Sequence, residues 1–201
     1  WHRSSQESMT ESILKELEGF HKAHPYRPGM PKAEVHMRFM KQVKPNVFDM
    51  YIEMLINEGK IGRSGEYLHA PAYEIPKDAV FEKASRTILE TFEKAGYDFV
   101  RFSEIVFPKL PDGVKEDVLQ VLISDGTVVK INDEMYTLAS YMEKAKAKII
   151  EKLQKDGLIT IAEVRDMFGT SRKSAKPILE YMDSQKVTKK TGAESERVAY
   201  L

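Results

Sequence analysis

The fold is predicted from the pattern of one segment, Gly169-Thr-Ser-Arg-Lys-Ser-Ala-Lys-Pro-Ile-Leu-Glu-Tyr-Met-Asp-Ser-Gln-Lys-Val-Thr-Lys-Lys190. Its apolar residues recur at helical spacing and form one stripe, while its cations fall outside that stripe or at its edge. Gly169 can turn the chain, and Thr170 and Ser171 are cap-type residues, so we predict that a helix begins here. The free amides of its first turn would lie beside Arg172 and Lys173, in a place that suits a phosphate group.

A helix-turn-helix-hairpin order surrounds this stretch. A shorter helix is predicted at Ile161 to Phe168, and a basic hairpin is predicted at Lys186 to Leu201. This order is the winged-helix plan, in which the second helix of the pair usually meets nucleic acid. The alternative is an ordinary solvated basic face. Local charge favours nucleic acid, because six cations and two anions lie between Thr170 and Lys190.

Composition limits the class of partner. The 201 residues are 42% hydrophobic, and 31 Lys and Arg balance 31 Asp and Glu, so only a local patch could attract a polyanion. The absence of cysteine excludes disulfides and thiolate metal sites. The sequence contains neither a run of 18 apolar residues nor a signal-peptide core, so we expect no membrane partner and a cytoplasmic location.

The helix-helix-hairpin order occurs three times along the chain. The predicted fold is mostly α with small β-hairpins (α+β), built from tandem winged-helix domains with a three-helix bundle and a wing in each. The predicted domains are 1–75, 76–140 and 141–201, in which residues 1–8 are interpreted as a linker or the end of a preceding domain. Their net charges are 0, −4 and +4, so only the third suits RNA or DNA. Aligning Ile56–Ile61, Ile123–Val128 and Met182–Val187 gives offsets of 67 and 59 residues.

Catalytic and cofactor motifs are not found. The segment Glu58–Lys60 lacks the upstream glycine and the Ser or Thr of a P-loop. His21, His24 and His36 could in principle bind a metal, but a helix C-terminus favours histidine by itself. The pairs Asp112/Glu116 and Asp133/Glu134 are interpreted as solvated carboxylates. We therefore predict no catalytic residue, no metal site and no cofactor in this chain.

Several segments resemble the winged-helix region of bacterial selenocysteine-specific elongation factors, the SelB family. The third domain resembles the last domain of that region at Thr160–Gly169, Thr170–Lys173, Pro177–Asp183 and Val187–Lys190, with Gly192 and Arg197. Val129–Tyr136 resembles the hairpin of the preceding domain, and Tyr26–Glu34 resembles an Arg-Pro-Gly-Met-Pro-Lys segment of the one before.

The resemblance implies a monomeric arm whose final domain binds the hairpin of a selenocysteine insertion element (SECIS) in mRNA. GTPase and tRNA-binding domains would lie upstream, outside this chain, so GTP, selenocysteyl-tRNA and the ribosome would be partners of the full-length protein during recoding of UGA. The first two domains would be a spacer. The residues that the resemblance implies as RNA contacts are Arg172, Lys173, Lys189, Lys190 and Arg197. The predicted helix start and its basic face add Thr170, Ser171 and Lys176 to the candidate RNA-binding residues.

Two alternatives remain open at this point. A DNA-binding winged-helix regulator usually dimerises on two-fold sites, and no obvious dimer helix is present. A protein-interaction scaffold would show no salt-dependent binding of nucleic acid. For RNA, specificity should come from unstacked loop or bulge bases, because the major groove of an A-form helix is too deep and narrow for a helix to read.

Overall fold

The computed structural model of the chain describes residues 3–193 and 195–200. It divides into two compact units, Trp1–Phe81 and Glu82–Leu201. The helices are α1 (Arg3–Ala23), α2 (Lys32–Phe39), α3 (Pro45–Asn57), α4 (Ala79–Ala95), α5 (Val114–Ser124), α6 (Ala139–Asp156), α7 (Ile161–Phe168) and α8 (Arg172–Ser184). The strands are β1 (Met30–Pro31), β2 (Gly62–Ser64), β3 (Tyr67–His69), β4 (Val128–Lys130), β5 (Tyr136–Leu138), β6 (Ile159–Thr160), β7 (Thr188–Lys190) and β8 (Glu196–Ala199). This architecture confirms the predicted mostly helical class with small hairpins.

The first unit is one winged helix. Its antiparallel sheet has the order β1-β3-β2 and covers a core that α1, α2 and α3 complete. Pro45 occupies the first turn of α3, and Pro31 lies in β1 just before α2. Gly29 has a φ of 154°, and a Cβ there would lie 2.2 Å from the Leu68 carbonyl oxygen. The close approach of β1 to β3 therefore requires glycine at this position.

From the sequence, residues 1–8 are interpreted as a linker or the end of a preceding domain, and in the structure α1 already begins at Arg3. Polar contacts hold this end of the helix. The Thr10 hydroxyl lies 2.8 Å from the Tyr51 hydroxyl, which in turn donates to the Gln6 carbonyl. Apolar periodicity cannot reveal a turn that is anchored through polar groups. Trp1 and His2 lie outside the described residues.

The second unit contains one whole helix-plus-hairpin module and, from Glu82 on, the module before it. We call residues 76–140 the second module and residues 141–201 the third, and residues 1–75 the first. In the second module a short 3-10 helix, Phe102–Glu104, takes the place of the second helix. Phe99 and Met135 of this module are buried in the same core as α6, α7 and α8. The boundaries 1–75, 76–140 and 141–201 stay a prediction.

The last helix before each hairpin, which is α3, α5 or α8, ends in the same way. We call these three the recognition-type helices. One residue after the helix cap has a left-handed backbone, with φ of 67° at Gly59, 79° at Gly126 and 54° at Lys186. Each of these residues donates its amide to the carbonyl three positions earlier, at 2.9, 3.2 and 3.0 Å. The structural offsets are thus 67 and 60 residues, so the sequence alignment of the third junction was wrong by one position. Lys186 takes the place of glycine in the third junction. Because glycine is the usual marker of this turn, the sequence does not show where the third junction aligns with the other two.

Candidate nucleic-acid interface

A complete capping box fixes the start of α7. The Thr160 hydroxyl accepts the Glu163 amide at 3.2 Å, and the Glu163 carboxylate accepts the Thr160 amide at 2.8 Å. Lys152 of α6 pairs with the same carboxylate at 2.7 Å. Its hydrogen bond lowers the pKa of Glu163 below the usual value, and the bonds from Thr160 act in the same direction. Gly169 then ends α7 in a left-handed conformation, as the sequence predicts.

The apolar stripe predicted for α8 is fully buried, at Ala175, Ile178, Leu179 and Met182. Arg172 and Lys173 are exposed, and Lys176 is half-buried with its ammonium 3.8 Å from the Glu180 carboxylate. Pro177 lies in the second turn, and the helix continues through it. The helix therefore has the core side and the cationic side that the sequence predicts.

An internal carboxylate already occupies the beginning of α8. Asp98, from the segment after α4, accepts the Ser171 amide at 3.1 Å and the Thr170 hydroxyl at 2.5 Å. That hydroxyl also donates to the Tyr97 carbonyl, and the Thr170 residue is only 9% exposed. Thr170 therefore contributes to the junction between the second and third modules and is closed to an external ligand. Ser171 remains exposed, but its amide is used by Asp98 rather than by a phosphate.

The wing separates the predicted cations into two groups. Lys189 and Lys190 are exposed on β7. Arg197 on β8 is 0% exposed, and its Nε donates to the Asp183 carboxylate at 2.7 Å. Its guanidinium is enclosed by the core, so the expectation that Arg197 contacts RNA does not fit the structure. The sequence alone could not separate these positions, since the partner of Arg197 lies 14 residues away on α8.

A groove of about 310 Å³ joins the two helices to the wing. Arg165 of α7 and Arg172 of α8 line it together with Ser195 of the hairpin and the first residues of α7. The Arg165 guanidinium is exposed and holds Asp166 at 2.7 Å. Sequence reasoning missed Arg165 as a site residue, although its position off the buried face of α7 was a signal that could have found it. Two guanidinium groups on one groove suit a phosphate backbone.

His21 and His36 of the first unit have partners within the protein. The described residues contain no group of three or more His, Asp or Glu side chains placed to hold a metal ion. The His21 Nε2 accepts the Ala70 amide at 3.2 Å, and the His36 ring stacks on Phe48 while its Nε2 lies 2.8 Å from the Val43 carbonyl. Within residues 3–193 and 195–200, none of the helices has the length and apolar character needed to cross a bilayer.

Comparisons with known proteins agree with this architecture. Two family models described as "Elongation factor SelB, winged helix" match the chain, the model of the second such domain at residues 14–69 and that of the third at residues 151–195. A selenocysteine-specific elongation factor of Desulfomicrobium baculatum is 24% identical over 190 residues, which cover 92% of this chain and 30% of that protein. One from Haemophilus influenzae (strain ATCC 51907 / DSM 11121 / KW20 / Rd) is 20% identical over 185 residues, which cover 91% of this chain and 30% of that protein.

A solved structure gives the same fold. The crystal structure of a bacterial selenocysteine-specific elongation factor EF-Sec aligns with 98% of this chain and 30% of its own, with a TM-score of 0.58 and 18% identity. The chain spans about 30% of the length of the curated relatives that it matches. The two family models fall on separate modules, and the relatives align along almost the whole sequence. The chain therefore belongs to the SelB winged-helix family.

Proposed function

We propose that this chain is the mRNA-binding arm of a selenocysteine-specific translation elongation factor, and that its third module binds the hairpin of a selenocysteine insertion element. The observation that carries the proposal is the concentration of cations on one module. Arg165 and Arg172 share a groove beside the wing, and Lys173 is exposed next to Arg172 on α8. This cationic surface belongs to the module that the third SelB winged-helix model matches.

The proposed contact set differs from the sequence expectation in three residues. It keeps Ser171, Arg172, Lys173, Lys176, Lys189 and Lys190, adds Arg165, and omits Thr170 and Arg197. The two omitted residues are buried, and their polar groups bind Asp98 and Asp183 respectively. Burial excludes direct contact with an external phosphate.

Recognition would combine phosphate contacts with capture of unstacked bases. The exposed cations neutralise phosphates and release counterions, so binding should weaken steeply with salt. A bulged or looped base can leave the stack and enter a groove such as the one between Arg165 and Arg172, whereas a continuous A-form helix cannot present its base edges there. Affinity would then come from charge, and specificity from the unpaired bases.

The other modules would connect this contact to the rest of the factor. The first and second modules have net charges of 0 and −4, so they suit a spacer that does not compete for RNA. GTP hydrolysis and binding of selenocysteyl-tRNA would belong to upstream domains of the full-length protein. This arm would have no catalytic residue of its own and would act on the ribosome in the cytoplasm.

A binding assay with the whole chain tests the proposal. Fluorescence anisotropy would compare a bulged RNA hairpin, the same hairpin without its bulge, and a DNA duplex of equal length, each over a series of salt concentrations. We expect preference for the bulged RNA and a plot of log affinity against log salt with a slope of about −4 to −5, because the six cations of the contact set each contribute roughly 0.7 to 0.9. Equal or tighter binding to the duplex DNA would support a transcription regulator instead. No salt-dependent binding to any of the three would support a protein-interaction scaffold.

A further inference from the structure

The base of the third wing has a different chemistry from the bases of the other two wings. In each module a residue in or just before the last strand pairs with the segment before the second helix, at Met30 with Leu68, Arg101 with Met135 and Ile159 with Arg197. Leu68 and Arg197 also face the residue four positions after the left-handed one, and the corresponding partner in the second module is Tyr136. Leu68 and Arg197 are therefore equivalent and fully buried, and the second module has the uncharged residues Met135 and Tyr136 in this place. The third module alone places a charged group at this position.

Two further positions at the wing base are apolar in the first two modules and polar in the third. Counting from the left-handed residue after each recognition-type helix, the first strand of each wing carries its buried residue at Ile61, Val128 and Thr188. The carbonyl that accepts the amide of the left-handed residue belongs to Ile56, Ile123 and Asp183. The first module thus has three apolar residues at the wing base and the second has no charged residue there, whereas the third has threonine, aspartate and arginine.

These three polar residues contact one another. The Thr188 hydroxyl donates to one oxygen of the Asp183 carboxylate at 2.6 Å, and the Arg197 Nε donates to the other oxygen at 2.7 Å. The Arg197 Nη1 also donates to the Glu196 carbonyl at 3.0 Å. Thr188 and Arg197 are fully buried, and the Asp183 side chain is 21% exposed. We call Asp183, Thr188 and Arg197 the wing triad.

Stability alone gives no reason for this arrangement. Replacing a buried ion pair with well-packed apolar residues is often neutral or stabilising, because the pair must be desolvated. An aspartate in the last turn of a helix also opposes the helix dipole, and Asp183 lies one residue before the end of α8. What the triad contributes is a fixed position of the wing, because Thr188 of β7 and Arg197 of β8 each donate a short hydrogen bond to the Asp183 carboxylate of α8.

The residues next to the triad are those of the proposed RNA surface. Lys189 and Lys190 follow Thr188 on β7, and Lys190 is the direct partner of Arg197 in the ladder between β7 and β8. Ser195, on the groove with Arg165 and Arg172, precedes β8, and its carbonyl accepts the Ile161 amide at 3.0 Å. Fixing both strands against α8 therefore fixes the wing cations relative to the groove.

We propose that Asp183, Thr188 and Arg197 are positioning residues that set the register of the third wing, so that Lys189, Lys190 and the Ser195 turn meet the RNA backbone at defined places. This inference rests on the proposed function. It assigns to Arg197 an indirect role through the wing, in place of the direct RNA contact that its charge suggests.

The test replaces the triad with the residues of the first module, in the variant Asp183→Ile/Thr188→Ile/Arg197→Leu of the whole chain. We expect the melting temperature to be maintained or raised. We expect amide hydrogen exchange in β7 and β8 to become faster and affinity for the bulged RNA hairpin to fall by about tenfold. The slope of log affinity against log salt should become shallower by the contribution of about one to two phosphate contacts. Arg197→Lys, which keeps the charge and one donor, should recover part of the affinity.

The two proposals fail in different ways. A folded triple variant with unchanged wing exchange, affinity and salt slope would overturn the positioning role. Failure of the unmodified chain to bind RNA would overturn the proposed function, while hydrogen exchange in the wing would still decide whether the triad sets the wing register. If the triple variant does not fold, Thr188→Val removes one hydrogen bond while keeping the shape. It should speed wing exchange and weaken RNA binding about threefold, and no change in either measurement overturns the role.

Discussion

At the scale of single residues, the environment decides what a side chain does. Arg172 and Arg197 have the same chemistry and lie in the same module, but Arg172 is exposed on a groove and Arg197 is enclosed beside Asp183. His21 gives a similar contrast in the first unit. It is 7% exposed and its ring stacks on Tyr73 with 3.4 Å between ring centroids. Charge and residue type therefore do not assign a role until the partners are known.

His21 should make the first unit sensitive to mild acid. Burial, with a smaller effect of the His69 charge, lowers its pKa from 6.5 to about 4. Above pH 6.5 the residue is neutral in both the folded and the unfolded states. As the pH falls from 6.5 towards 4, the unfolded state takes up the proton first, so stability should fall by up to roughly 1.4 kcal/mol per pH unit and level off below that range. Urea unfolding of the whole chain at pH 7, 5.5 and 4.5 measures this dependence.

A non-titrating variant isolates the contribution of His21. His21→Phe keeps an aromatic ring for Tyr73 and should flatten the pH dependence between 6.5 and 4, even if the absolute stability falls through loss of the acceptor for Ala70. His24→Phe, near the end of the same helix, is the matched control. Equal pH slopes for the original chain and His21→Phe would contradict this explanation.

Arg172 should contribute directly to RNA affinity. We expect Arg172→Ala to weaken binding of the bulged hairpin by about 1 to 3 kcal/mol and to reduce the salt slope by about one. Arg86→Ala, at an exposed arginine of α4, is the control for a general change of charge. Anisotropy titrations at three salt concentrations check both quantities. An affinity equal to that of Arg86→Ala would remove Arg172 from the interface.

At the scale of elements, caps and buried stripes place the two helices of the proposed interface. The capping box of Thr160 and Glu163 sets the start of α7, and Gly169 sets its end. The sequence shows these features because they depend on residues that are close along the chain. The start of α8 is different, since its cap comes from Asp98, which is 73 positions before Ser171.

Thr160→Ala should destabilise the second unit by about 1 kcal/mol, because it removes the acceptor of the Glu163 amide. Chemical denaturation of the whole chain, followed by helix content, measures the loss. Ser85→Ala on α4 is the control, since an exchange at the helix surface should stay within about 0.5 kcal/mol. A loss no larger than that of Ser85→Ala would show that the cap does not stabilise α7.

At the scale of the whole molecule, packing groups the repeated elements into two compact units. The three domains that the repeat predicts stay a prediction. Within the second unit, Phe99 packs into the core of the third module, and its amide donates to the Ser174 hydroxyl at 3.2 Å. Tyr97 adds contacts to the Phe168 and Tyr141 rings. The second and third modules should therefore unfold together.

Phe99→Ala should destabilise both modules of the second unit by about 3 to 5 kcal/mol, as expected when a buried phenylalanine leaves a cavity. Hydrogen exchange with mass spectrometry would follow peptides from α5 and α8, and both should lose protection to the same extent. Phe102→Ala, at a half-buried ring in contact with Phe107 and Tyr136, is the control and should have a smaller effect. If α8 lost protection from hydrogen exchange while α5 kept it, the two modules would not unfold together and the prediction would be wrong.

The sequence alone was enough to predict the mostly helical class, the hairpins and the cationic face of α8, because apolar periodicity, turn residues and caps all act over a few positions. It also placed Arg172, Lys173, Lys189 and Lys190 at the surface. Only the tertiary structure decided that Thr170 and Arg197 are buried, that Arg165 lines the groove, and that Asp98 occupies the start of α8. These outcomes depend on contacts between distant segments, and no local pattern encodes which polar group will find a buried partner.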